Sequence, residues 1–231
     1  MKGPLVDPAT VPGWLRPLVE ASGELDSTAF TRFTPPEDEL TRAASVLILF
    51  GDGARGPDVL LLRRADTLGS HAGQVAFPGG GAEPGDADVV ATALREAEEE
   101  TGVDPAGVRP VAVLPQLFIP VSRFAVTPVL AHWRRPSPVH AVDPAETAAV
   151  ARVPLAELAD PANRFQVRRP GTGYRGPAFT VDGMFVWGFT AGLLTVLLEL
   201  GGWAREWDRA DVRDLDVALR DHLLATEGET Q

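Results

Sequence analysis

The sequence contains no cysteine, which excludes thiolate catalysis and any need for disulfide staples. That absence is neutral about compartment, with a reducing cytoplasm as the simpler default. Lysine is confined to Lys2, so every other cation is arginine or histidine, a bias that favours planar, bidentate phosphate clamps. A basic patch is missing too: 32 acidic side chains stand against 21 basic ones, and the net charge of −11 argues against a nucleic-acid partner. No apolar core follows Met1-Lys2-Gly3-Pro4, so secretion is not expected. The uncharged stretch from Met184 to Leu198 is shorter than the about 20 residues that span a bilayer as a helix. It reads as a buried helix whose Gly188 and Gly192 allow close packing, and no membrane partner is expected. With 231 residues the chain is long enough for one sizeable core. Internal repeats and low-complexity tracts are absent, so residues 1–231 are expected to form one domain, its core at about 40–200 with helical extensions at both ends.

What is present is a concentrated run of acids. Residues 95 to 103 read Arg-Glu-Ala-Glu-Glu-Glu-Thr-Gly-Val, and helical spacing puts Glu96, Glu99 and Glu100 on one face, where like charges cost about 0.2–0.5 kcal/mol per close pair. Val90, Leu94, Ala97 and Thr101 fall about half a turn away, making a core stripe backed by an acid stripe. Asp86 and Asp88 suit the helix start as cap or first-turn acids. Gly102 suits its end as a left-handed residue, with Val103 as the apolar contact of a Schellman-type stop. A solvated acidic face is the bland reading of any such stretch. Here the acids are tied to an upstream glycine run, Gly79-Gly80-Gly81, and to a fixed stop. Three convergent carboxylates are hard oxygen ligands, so Mg²⁺ or Mn²⁺ fits them better than zinc or copper, and phosphoryl chemistry follows from the waters and phosphates such ions keep.

The stretch from Gly81 through Arg95-Glu96-x-x-Glu99-Glu100-x-Gly102-Val103 resembles the Nudix box, the loop-helix-loop of enzymes that hydrolyse nucleoside diphosphates linked to another group. The resemblance implies an α/β (α+β) fold, the Nudix α/β/α sandwich with a mixed sheet. It also implies that Glu96, Glu99 and Glu100 are metal ligands, with Arg95 orienting and charge-balancing them. Counted from Gly81, the early glutamate of the pattern falls on Ala87; counted from Gly80, it falls on Asp86 and the loop before Arg95 is one residue longer. Upstream, Arg63-Arg64-Ala65 and Ser70-His71-Ala72-Gly73-Gln74-Val75-Ala76-Phe77-Pro78-Gly79-Gly80 are similar to the signature of Nudix coenzyme A pyrophosphatases, except that Gly69 stands where the signature has a second arginine.

This subfamily resemblance implies hydrolysis of the diphosphate of coenzyme A or its thioesters to 3′-phosphoadenosine 5′-phosphate and (acyl-)phosphopantetheine. Arg63, Arg64, His71, Phe77, Gly79, Gly80 and Arg123 are the candidate substrate-binding residues; the general base is one of Glu96, Glu99 and Glu100 or else Glu146, which is also a candidate further ligand. Two other readings stay open: a Nudix hydrolase of ADP-ribose or another nucleoside diphosphate derivative, and a regulatory module that binds a nucleotide without turnover. The expected partner is a small nucleotide, and the oligomeric state is open, a homodimer included. Trp133, Trp187, Trp203 and Trp207 are read as core or interface residues.

Elsewhere the patterning predicts a helix over Val11 to Ala21 that Pro17 would interrupt and a loop at Phe33-Thr34-Pro35-Pro36. Strands are predicted at Ala44 to Phe50, Val59 to Leu62, Gln74 to Phe77, Val111 to Leu114, Ala125 to Trp133, Ala148 to Val153 and Phe179 to Val181. A substrate-side loop is predicted at Leu117 to Arg123, a turn or short helix at Leu155 to Asp160, and a polar helix at Asp211 to Leu224.

Overall fold

Strands β2 (Arg42–Gly53) and β3 (Gly56–Arg64) carry the logic of the fold, because their side chains alternate between two apolar layers. The computed structural model describes residues 2–30, 41–67, 71–120 and 122–228; the Phe33-to-Pro36 loop and the signature positions Gly69 and Ser70 lie outside them. The remaining elements are β1 (Gly3–Pro4), α1 (Arg16–Ala21), β4 (Val75–Ala76), β5 (Gly79–Gly81), α2 (Val89–Thr101), β6 (Val108–Val113), β7 (Leu117–Ile119), β8 (Phe124–Trp133), β9 (Thr147–Pro154) and α3 (Leu155–Ala159). They are followed by β10 (Arg164–Arg169), β11 (Tyr174–Val181), β12 (Met184–Val186), α4 (Gly188–Leu200), β13 (Val212–Asp214) and α5 (Leu215–Gly228).

Leu47, Leu49 and Leu60 pack with Ala93 and Ala97 of α2 on one face of the sheet. Their neighbours Ile48, Phe50, Val59 and Leu61 pack on the other face with Leu18 of α1 and Leu193 and Leu197 of α4. This is the expected α/β/α arrangement. Each fully buried Leu or Ile stabilises by about 1.5–3 kcal/mol, and a one-residue register slip would exchange the two layers, so the register is strongly specified. Both faces of β2 are covered, which is why it reads as a nearly continuous apolar run rather than an alternating one.

The sheet is mixed. β2 runs parallel to β8 and antiparallel to β3, in the order β1-β6-β8-β2-β3-β4, with β5 on β2, β7 on β8 and β9 on β3. A second sheet has the order β12-β11-β10-β13. Its Phe179, Val181, Met184 and Val186 enter the same apolar cluster as Ile48 and Leu61.

Several expectations are corrected. The first helix is only Arg16–Ala21, because Pro17 is tolerated in a first turn but not inside a helix. Met184 to Leu198 is not one helix: Met184–Val186 pairs with β11, Trp187 is extended, and the helix begins at Gly188, whose φ is +69°. A Cβ at Gly188 or at Gly192 would meet nothing within 4 Å, so these glycines do not mediate close packing. The C-terminal helix starts at Leu215 rather than Asp211, since Val212–Asp214 forms a parallel strand on β10. Within the predicted Leu117-to-Arg123 loop, Leu117 and Phe118 are buried strand residues. Among the described residues no helix is long and apolar enough to cross a membrane.

Candidate active site

The glycine run and the acid helix form one structural unit. Gly79, Gly80 and Gly81 pair with Val46, Ser45 and Ala44 of β2, and side chains at the first two would collide with what lies on either side. A Cβ on Gly79 would stand 2.4 Å from the Ser45 carbonyl oxygen, and one on Gly80 would stand 2.5 Å from the Glu96 carboxylate. The bare backbone therefore lets α2 lie against the strand, and the Gly79 N–H donates to Glu100 Oε2 at 2.9 Å.

Local sequence fixes both ends of α2. Asp88 caps the start, its carboxylate accepting the Val90 and Ala91 N–H groups at 2.9 Å each. Gly102 ends the helix at φ +68°, its N–H donating to the Glu98 carbonyl, the single bond of the αL stop rather than the paired bonds of the Schellman motif. Val103 is fully buried in the layer beneath α2. The buried residues of α2 are Thr92, Ala93, Ala97 and Thr101, with Val90 and Leu94 partly buried at their flank. Small residues at the centre of the stripe let the helix approach the sheet.

Arg95 ties the acids together. Its Nη1 donates to Glu96 Oε1 at 3.0 Å and Glu99 Oε2 at 2.9 Å, its Nη2 to the Gly81 carbonyl at 3.0 Å, and Nε with Nη2 grips both oxygens of Asp86. The Arg95 guanidinium holds the Asp86 carboxyl well below the usual carboxylate range, helped by the Glu83 N–H. Asp86 also accepts the Thr92 hydroxyl. Its spacing suits the helix start, but the carboxylate anchors Arg95 instead and so belongs to the site. The count from Gly80, which falls on Asp86, is the sequence signal for that role.

Compensation stops at the inner end of the acid face. Burial pushes the Glu100 carboxyl up to about 7, with the charges of Glu96 and Glu146 adding to the rise against the Gly79 N–H and Arg64. Burial also raises Glu96, against the pull of Arg95. Arg64 Nη1 lies 3.9 Å from Glu100 Oε1, and the buried Arg64 Nε has no hydrogen-bond partner.

The other sequence candidates are distributed around this centre. Glu146 is exposed, its carbonyl accepting the Ala65 N–H at 2.9 Å beside Arg64, and its charge reaches Glu100. Arg123, at φ +58°, bonds its N–H to the Ile119 carbonyl just before Phe124, which pairs with Arg42 at the end of β2 that receives the glycine run. Arg63 is engaged by Asp66 at 3.0 Å, and His71, at φ +55°, by the Gln74 side chain at 2.9 Å. Neither is brought onto the acid face by a bond. The Phe77 ring is buried in the main core, so that position supports the strand rather than offering an aromatic surface.

Among the described residues no group of three Asp, Glu or His side chains converges tightly enough, as it stands, to hold an ion. Glu96 and Glu99 are drawn to Arg95, and Glu100 to Gly79. The donor set nonetheless suits a hard divalent cation: all ligating atoms would be carboxylate oxygens, two of the acids are held partly desolvated, and the third, Glu99, is held only by Arg95 with its side chain 58% exposed.

A family model described as the NUDIX domain matches residues 39–171. A protein named an uncharacterized Nudix hydrolase NudL, from Cronobacter sakazakii, is 43% identical over 148 residues, covering 63% of this chain and 76% of that protein. A protein of the same name from Citrobacter koseri is 40% identical over 163 residues, covering 69% and 83%. Among solved structures, a Nudix hydrolase from M. smegmatis, RenU, aligns with a TM-score of 0.50 at 19% identity over 73% of this chain and 90% of that one, a likeness of fold.

Proposed function

The chain belongs to the Nudix family and is a pyrophosphohydrolase, and from that premise we propose that its substrate is coenzyme A or an acyl-coenzyme A, cleaved at the diphosphate. The observation that supports this reading best is the position of Arg64, the signature arginine, 3.9 Å from Glu100 with its Nε buried and unpaired. A guanidinium with free donors beside a carboxylate cluster is where a phosphate of a diphosphate would be received.

Nudix hydrolases generally use divalent metal ions, and in this reading Glu96, Glu99 and Glu100 hold Mg²⁺ or Mn²⁺. Bound there, such an ion neutralises the diphosphate and makes a water easier to deprotonate. Glu146, which stands near Glu100 and is not engaged by Arg95, takes the proton from the attacking water. Water oxygen bonds to phosphorus as the P–O–P linkage breaks, and the products are 3′-phosphoadenosine 5′-phosphate and (acyl-)phosphopantetheine. Arg64 and the Gly79–Gly80 backbone position the phosphates, with Arg123 at the same end of the strands. Residues 1–231 act as a single domain in this reading.

The deciding experiment is a hydrolysis screen over coenzyme A, dephospho-coenzyme A, ADP-ribose, dinucleoside polyphosphates and nucleoside triphosphates. Highest kcat/KM on coenzyme A or its thioesters is the expected result, and highest kcat/KM on ADP-ribose would replace this reading with the other dinucleotide one.

A further inference from the structure

Arg164, the first residue of β10, is 3% exposed, and its Nε, Nη1 and Nη2 are all buried without a hydrogen-bond partner. Its guanidinium lies 5.1 Å from the Phe179 ring centroid and 4.7 Å from that of Trp207. Aromatic faces attract a cation but leave its in-plane N–H groups unsatisfied. An unpaired buried charge is costly, and burial accordingly pushes the Arg164 pKa down. Among the described residues no carboxylate bonds to it. Glu199, the first of its neighbours to favour the charge, is turned to Arg209 Nη2 at 3.4 Å.

Arg164 lines a cavity of about 450 Å³ with Glu199, Arg205, Glu206, Trp207 and Arg209. Three guanidiniums against two carboxylates make a local positive excess in a protein of net charge −11. The cavity is separate from the acid helix. The neighbouring Trp203 packs on Phe50 at 5.8 Å, four residues along β2 from the Val46 that pairs with Gly79, roughly 13 Å at the rise of a strand.

We propose that this cavity is a second ligand site, which binds a phosphate group through the in-plane donors of Arg164, with Arg205 and Arg209 at its rim. A guanidinium fork matches two oxygens of an oxyanion, and the additional rim arginines favour a doubly charged phosphate over a carboxylate. The proposal does not depend on the substrate assigned above.

Isothermal titration of metal-free protein, kept so with chelator, tests it with inorganic phosphate, adenosine 5′-monophosphate and acetate. The expected result is one phosphate-bearing ligand per chain, weakened at least about tenfold in Arg164→Gln, severalfold in the Arg205→Ala/Arg209→Ala pair, and unchanged in Arg64→Ala. Tighter binding of inorganic phosphate supports a free anion as the ligand; tighter binding of the monophosphate supports a phosphate monoester. No binding, acetate binding as tight as phosphate, or binding that is lost in Arg64→Ala and kept in Arg164→Gln overturns the proposal. If Arg164→Gln does not fold, the exposed Arg205/Arg209 pair decides, and unchanged affinity there overturns it.

Discussion

Asp86 and Arg95 meet side on, the carboxylate accepting Nε on Oδ1 at 3.0 Å and Nη2 on Oδ2 at 3.1 Å, and this leaves Nη1 alone to hold both Glu96 and Glu99. The loop before α2 thereby sets the direction of the acid face.

Asp86→Asn keeps the shape but leaves only one good acceptor for the fork, so Arg95 loses its fixed orientation. Since partners that orient metal ligands are typically worth about 10- to 100-fold in metal affinity or activity, turnover should fall within that range while the fold persists. Metal titration and steady-state rates check this, and unchanged rates would show that Asp86 is only a loop brace.

Glu99→Gln and Glu100→Gln should each lower turnover by at least about two orders of magnitude, roughly 2.7 kcal/mol in barrier, if these acids hold the metal. Folded protein with near-normal activity in both variants would sink the metal-site assignment.

Glu100→Gln has a second, opposite effect in metal-free protein. The folded state raises this carboxyl to about 7, so it binds the proton more tightly than the unfolded chain does. The stability from that proton is fully present below the unfolded value of about 4.5 and is lost as pH rises through about 7. At pH 8 the ionised carboxylate then costs on the order of 3 kcal/mol. Glutamine still accepts the Gly79 N–H, so urea unfolding with chelator should show the variant more stable than wild type at pH 8 and nearly equal at pH 4.5. A gap that does not change with pH would be incompatible with the raised carboxyl.

Two glycines separate packing from function. Gly80→Ala puts a Cβ against the Glu96 carboxylate, the mobile end of a side chain, so stability should change little while activity falls by about tenfold or more, roughly 1.4 kcal/mol. Gly102→Val instead places a β-branched residue at φ +68° with its Cβ 3.0 Å from His140 Cε1, a strain of about 1–3 kcal/mol that should lower thermal stability and activity together. Melting temperature measured beside kcat distinguishes the two patterns.

Dephospho-coenzyme A should be a poorer substrate than coenzyme A, because it lacks the 3′-phosphate that fixed arginines would contact, and Arg64→Ala should narrow the gap. Equal kcat/KM on both by the wild-type enzyme would remove the reason for the coenzyme A assignment.

Local patterns carried the parts of this protein that depend on neighbours in the chain. The spacing of Glu96, Glu99 and Glu100, the cap at Asp88 and the stop at Gly102 follow from helix period and local chemistry, and the short apolar runs of β2, β3 and β8 from strand propensity. The Met184-to-Leu198 run reads as one helix because uniform hydrophobicity contains no period to divide strand from helix; the pairing of β12 with β11 makes that division. Likewise β13 exists because β10 offers it an edge. The bidentate grip of Asp86 on Arg95, the closeness of Arg64 to Glu100 and the unpaired Arg164 between Phe179 and Trp207 join residues through space. Charge and burial at such points depend on which segments the fold brings together, and only the tertiary structure decides that.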